Sequence, residues 1–170
     1  MTKEIKNGIV KGLHEHLGID IVPADTASRK PDYPYISYKT ITAIETARHS
    51  LIYETIPSTS EGFEDDVLAI RKVQEHFTLS ISAFSMDEDE ARDTAIKAAD
   101  WFTFAGRFRL AAMNVAVISM GSVTDRTQLL VDDYERRYGF DARIRAARGI
   151  AQRMEGIEGH SLIGSVNPQE

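Results

Sequence analysis

Hydrophobic and polar positions alternate most regularly in the run Leu129–Arg145, LLVDDYERRYGFDARIR. From Tyr134 onward one parity carries Tyr134, Arg136, Tyr138, Phe140, Ala142 and Ile144. The other carries Glu135, Arg137, Gly139, Asp141, Arg143 and Arg145. Successive strand residues face opposite sides, so the run predicts a long strand with an aromatic-aliphatic face and a charged face. The charged face mixes signs (Glu, Arg, Asp, Arg, Arg) instead of collecting one. Such an ordered row suits a surface that meets a copy of itself in fixed register. Tyr134, Glu135, Arg136, Arg137, Tyr138, Asp141, Arg143 and Arg145 are therefore the candidate subunit or partner interface. Tyr and Arg are enriched in interface hot spots, but the same residues also serve as ordinary strand pairing and core.

Helical spacing appears at the start of the chain. Ile5, Ile9, Val10, Leu13 and Leu17 predict a first helix that Gly18 stops, with Gly8 and Gly12 allowing a close neighbour. Residues 19–34, with Pro23, Pro31 and Pro34, read as a connector. Tyr35–Thr42 and His49–Ile56 read as two strands, and Pro57–Asp66 (PSTSEGFEDD) as a flexible loop in which Asp65 and Asp66 are solvated. Val73, Phe77, Leu79, Ile81 and Ala83 predict a strand over Val67–Phe84, bent or bulged near Arg71–Glu75. The acids Asp87–Glu90 suit the start of a second helix, where the dipole contributes roughly 0.3–1 kcal/mol per charge. That helix runs to about Phe104 and buries Ala91, Ala95, Ala98 and Phe102, with Trp101 expected in the core. Phe108–Met113 adds a helical turn, and Asn114–Thr124 a strand. Asp125–Asp132 links that strand to the long one as a hairpin. Residues 149–170 read as a last strand or helix that frays over its final ten or so positions.

The order is a helix, three strands, a helix and at least two more strands. Strands in succession without a crossover helix are normally antiparallel. The expected class is therefore α+β, a mostly antiparallel sheet with two main helices packed on it, forming a single domain over residues 1–170. A strand longer than the usual five or six residues is also a common arm for pairing with another subunit.

Composition narrows the function classes. The 170 residues are 42% hydrophobic and 27% charged, as in a globular protein. No cysteine is present, which excludes disulfides and thiolate chemistry. The first eighteen residues lack an apolar run of signal-peptide length, and no stretch approaches the roughly 20 apolar residues of a membrane span. The net charge of −6 gives no general attraction for nucleic-acid phosphates. His14 and His16 face different sides of a helix, and His49, His76 and His160 are scattered, so no metal set is expected. No phosphate-loop, dinucleotide, nucleophile-elbow or zinc-protease motif occurs. Asp133 and Glu135 share a strand face and could mark a nuclease, although cross-strand ion pairing explains them more simply.

Two blocks, Asp32–Thr40 (DYPYISYKT) and Asp132–Arg145 (DDYERRYGFDARIR), resemble those of the neck or tail-terminator proteins of tailed bacteriophages. The ordered segments between them, FTLSISAFS, an acid-led helix ending in DWF, NVAVISMGSV and DRTQLL, carry the resemblance over Tyr35–Arg145. The resemblance implies a non-enzymatic virion protein without cofactors, made in the host cytoplasm. It implies assembly into a ring, usually a hexamer, at the head-proximal end of the tail. Its implied partners are further copies of itself, the tail tube protein and a neck or head-completion connector, with the tail sheath a further candidate. DNA would pass through the ring without specific binding. The alternatives are a small metal-dependent nuclease using Asp133 and Glu135, and a monomeric adaptor that binds through its tyrosine-rich strand.

Overall fold

A computed structural model gives the structure and describes residues 3–25, 29–59, 64–129 and 134–154. The chain divides into two compact units. The larger comprises Met1–Arg48 and Gln74–Arg148, the smaller His49–Val73 and Gly149–Glu170.

Helix α1 (Lys3–Leu17) follows the apolar spacing, buries Ile9, Gly12 and Leu13, and ends at Gly18 with φ +69°. Glycine at position 12 has a packing cause: a Cβ there would lie 2.5 Å from the Trp101 ring. Strand β1 (Asp20–Pro23) lies in the stretch expected to be a connector and pairs in parallel with β2 (Tyr35–Pro57), Asp20 opposite Tyr35. That β2 is a single strand of 23 residues replaces the two short strands expected from the sequence. The polar run Glu45–Ser50 breaks the alternation, while pairing along the ladder keeps the backbone extended.

Strand β3 (Asp65–Ser85) begins two residues earlier than the alternation suggests, so Asp65 and Asp66 belong to a strand and not to a solvated loop. Of the expected loop Pro57–Asp66, residues 60–63 lie outside the described residues. Helix α2 (Glu88–Asp100) is capped by Asp87, whose carboxylate accepts from the Glu90 N–H at 2.8 Å. It continues into a π-helical turn, Trp101–Ala105, and the short helix α3 (Arg107–Ala112). A Cβ at Gly106 would lie 2.4 Å from the Trp101 ring, which is itself buried. No described helix is long and apolar enough to cross a membrane.

The remaining strands are β4 (Val115–Met120), β5 (Thr124–Asp125), β6 (Gln128–Leu129) and β7 (Tyr134–Met154). All three short strands run antiparallel to β7, with a register shift between Val117 and Ser119. Residues 149–154 thus continue β7, while 155–170 lie outside the described residues. The sheet order is β1-β2-β3-β7-β4, with β5 and β6 also on β7. The protein is α+β, and its sheet is mixed through the parallel β1–β2 pair.

In the larger unit one sheet face is covered by helices. Phe77, Leu79, Ile81 and Ala83 of β3 and Phe140, Ala142, Ile144 and Ala146 of β7 pack with Ile9, Leu13, Ala95, Ala98, Trp101 and Phe102. Small residues on α2 let the helix approach closely, and Phe102 meets Phe140 edge-on at 6.0 Å. Burial of each such phenylalanine contributes about 1.5–3 kcal/mol.

The smaller unit is built differently. Its described residues are all from β2, β3, β7 and their connections. Its buried side chains among them are Val73 and the fully buried Asp66. Arg153 Nε donates to Asp66 at 2.6 Å, the Ser58 hydroxyl donates to Asp66 at 2.9 Å, and Arg153 Nη2 donates to the Pro57 carbonyl at 2.7 Å. A buried carboxylate is costly unless paired in this way.

Candidate functional site

Strand alternation sends the non-core parity of β3 and β7 to the opposite face of the larger unit's sheet. There Ser80 and Ser82 of β3 meet Glu135, Arg137, Asp141 and Arg143 of β7, the charged row that the sequence predicts. Each of these four charges bonds within the chain. Glu135 accepts from the hydroxyls of Tyr33 at 2.8 Å and Tyr35 at 3.3 Å and pairs with Lys30. Arg137 donates to the Ser82 hydroxyl at 3.1 Å and lies 5.2 Å from the Phe84 ring centre. Asp141 accepts from Arg126 at 3.1 Å, and Arg126 also donates to Ser80 at 2.8 Å. Arg143 donates to His76 Nδ1 at 3.2 Å. Gly139 belongs to the same row because β3 passes close behind it; a Cβ there would lie 2.4 Å from the Ile81 carbonyl oxygen.

The other candidate residues sit elsewhere. Arg145 is exposed opposite Ala116 of β4. Tyr138 belongs to the core parity, and its hydroxyl donates to Glu88 at 2.9 Å. Arg136 shares that parity and is half-buried. Tyr134 opens β7 with its side chain outside the described residues. Asp133 also lies outside them, and with it the paired-carboxylate arrangement considered for a nuclease. Glu135, the other half of that pair, faces a lysine and two tyrosines.

Electrostatics around Glu135 follow from this crowding. Burial opposes its charge, but the hydrogen bonds from Lys30 and Tyr33 and the Lys30 charge outweigh it and hold the carboxyl below its ordinary 4.5. Burial likewise works against the Lys30 charge, yet its bonds to Glu135 and Tyr33 keep it above the usual lysine range. Tyr35 is pushed up to about 12, first by burial and then by the Glu135 charge.

These residues form one wall of an open groove of about 750 Å³. Val22–Asp25, the Arg29–Pro31 segment, and Ser37, Lys39 and Ile41 of β2 complete it. Its floor includes Tyr35 stacked on Phe84 at 4.8 Å and 3°. Four cations (Arg29, Lys30, Lys39, Arg137) face two acids (Asp25, Glu135), an excess of two positive charges in a chain of net charge −6. The sequence reading did not pair Lys30 and Tyr35 of this groove with Glu135. Its one available signal was the tyrosine cluster PDYPYISYKT. It also missed Phe104 and Phe108, which are 73% and 74% exposed with the Arg107 guanidinium 4.6 Å from the Phe108 ring centre.

His14 Nδ1 donates to the Ile19 carbonyl at 2.7 Å, His49 is exposed on β2, and His160 lies outside the described residues. Among the described residues no three His, Asp or Glu side chains are placed to share an ion. The groove is thus an open, polar sheet face whose side chains are held in place by one another. The chain matches the family described as phage neck terminator protein over residues 7–166, and it belongs to that family. It is thus a structural protein of the bacteriophage neck. No curated protein matches it.

Proposed function

We propose that this protein closes the phage tail as a ring of its own copies. The ring, of about six subunits, sits at the head-proximal end, stops tail-tube polymerisation and joins the tail to the neck or head-completion connector. A growing tube adds rings because each ring's face matches the next. A terminator matches the last ring on one side and offers a different surface outward, so addition stops for lack of complementarity.

The observation that carries this reading is the pair of unlike surfaces on a neck terminator chain. The sheet's helix-free face offers a polar groove with preset charges, whereas the helix layer offers the exposed Phe104–Arg107–Phe108 patch. Aromatic and arginine side chains together are what interface hot spots are made of. Phe104 and Phe108 suit the tail tube or connector, and the tail sheath is a further candidate neighbour. The net charge of −6 suits a ring through which DNA slides without being gripped. The row Glu135, Arg137, Asp141, Arg143 and Arg145 serves the subunit contact, with Glu135 and Arg137 lining the groove offered to a neighbouring copy.

Mass measurement across concentrations, with negative-stain images of the large species, tests the proposal. Rings of about six copies that also cap growing tail tubes are the expected result. A strict monomer that leaves tube growth unaltered would overturn it.

A further inference from the structure

The groove on the helix-free face has more positive charge than its own acids neutralise. Lys39 pairs with Asp25 at 2.5 Å and Lys30 pairs with Glu135, so both acids of the groove are taken by its lysines. Arg29 and Arg137 supply the excess. Arg137 Nε is buried and has no hydrogen-bond partner among the described residues. The chain carries a matching feature in a different layer. Residues 86–90, Met-Asp-Glu-Asp-Glu, are all exposed at the start of α2. Asp87 caps the helix and Ser85 donates to Glu90, which leaves Glu88 and Asp89 as its outward charges. Among the described residues Glu88 accepts from the Tyr138 hydroxyl, and Asp89, 75% exposed, pairs with Arg92 one turn on.

Building on the ring proposed above, we infer that the groove of one copy receives the acidic start of α2, Met86–Asp89, from a second copy. Charge complementarity selects this occupant: a cationic groove in an acidic protein meets the chain's one run of four consecutive acids. Shape and polarity agree, because the exposed Met86 thioether suits the stacked Tyr35 and Phe84 rings of the groove floor. Helix α2 packs through Ala91, Ala95 and Ala98 on the sheet face opposite the groove. The two patches are unlike and lie on different layers, so their contact is head-to-tail, the kind that closes into a ring.

The test uses two charge-reversed full-length proteins. One carries Arg29→Glu and Lys39→Glu in the groove, the other Glu88→Lys and Asp89→Lys at the helix start. All four side chains are solvent-exposed and outside the apolar core, and circular dichroism checks that each variant folds. Each variant alone is expected to lose ring mass in light scattering, with self-association weakened at least about tenfold. An equimolar mixture is expected to regain it, because every reversed groove then meets a reversed helix start and every native groove a native one. Retention of full ring mass by either variant, or no recovery on mixing, overturns the inference and leaves a wild-type ring standing. A wild-type protein that never forms rings removes the ring reading itself and this contact with it.

Discussion

The two units solve the same problem, the burial of an acid next to β7, in different surroundings. In the larger unit Glu75 is buried, and Arg148 donates to it through Nε at 2.8 Å and Nη2 at 2.5 Å. The same unit holds a large apolar cluster drawn from four helical segments and four strands. In the smaller unit Asp66 is buried with Arg153 and Ser58, and Val73 is the buried apolar side chain among its described residues. The same acid–arginine device is therefore an addition to a core in one unit and the main tie in the other. A charged tie sets geometry more than it stabilises, since desolvation consumes most of its Coulombic gain. An exposed set of strands tied in this way keeps its register while leaving Leu51 and Tyr53, about half exposed, available for contact.

The sharpest way to break the comparison is to attack the apolar core. Phe140→Ala removes a fully buried ring and is expected to cost about 3–5 kcal/mol, read as a drop in the denaturant midpoint of the larger unit. Next comes Arg153→Ala, which takes the charged partner from Asp66. A loss of about 2–3 kcal/mol is expected, seen as faster amide exchange over Asp65–Val73 while the Phe77–Ala83 amides stay protected. If both segments loosened equally, the two units would not be separate in stability.

A smaller effect is expected from Glu135→Gln, about 1 kcal/mol, because one charged hydrogen-bond acceptor is lost from a partly buried cluster. Folding lowers the Glu135 pKa, so its ion pair stabilises fully above the ordinary value of 4.5 and the contribution drains away as pH falls through the folded value. The variant should accordingly show a flatter acid limb in a plot of melting temperature against pH below about 5. The smallest effect belongs to Lys11→Ala. Its 3.8 Å pairing with Glu15 on the surface of α1 is solvent-screened, and the change should stay within about 0.5 kcal/mol.

Local periodicity made much of this fold legible. The alternation from Tyr134 separated the apolar face of β7 from its charged face, and Phe140, Ala142 and Ile144 of the apolar parity are buried. The spacing of Ile9 and Leu13, the acidic start of α2 at Asp87–Glu90 and its alanine stripe were equally visible. What escaped notice depends on distant partners. Strand β1 is four residues long and exists because β2 offers it an edge. Asp66 reads as loop solvation until Arg153, far along the chain, is brought against it. The charged row was legible as a row, but the partners of Glu135 come from Lys30, Tyr33 and Tyr35, about a hundred residues earlier. Phe104 closes the expected second helix and Phe108 opens the helical turn after it, and nothing in that spacing marks them as an exposed pair.

Strand β7 serves as the common ladder for β4, β5 and β6, and it presents Phe140 to the helices, Arg137 to the groove and Arg153 to Asp66. Its side chains alternate between faces from Phe140 to Ala146, with Phe140, Ala142, Ile144 and Ala146 buried and Asp141, Arg143 and Arg145 on the other side. An insertion or deletion of one residue would turn every later side chain to the wrong side, whereas a change of two would preserve the facing. Descendants of this chain can therefore lengthen or shorten β7 only in even steps, and its length is a quantised trait along which the family can drift.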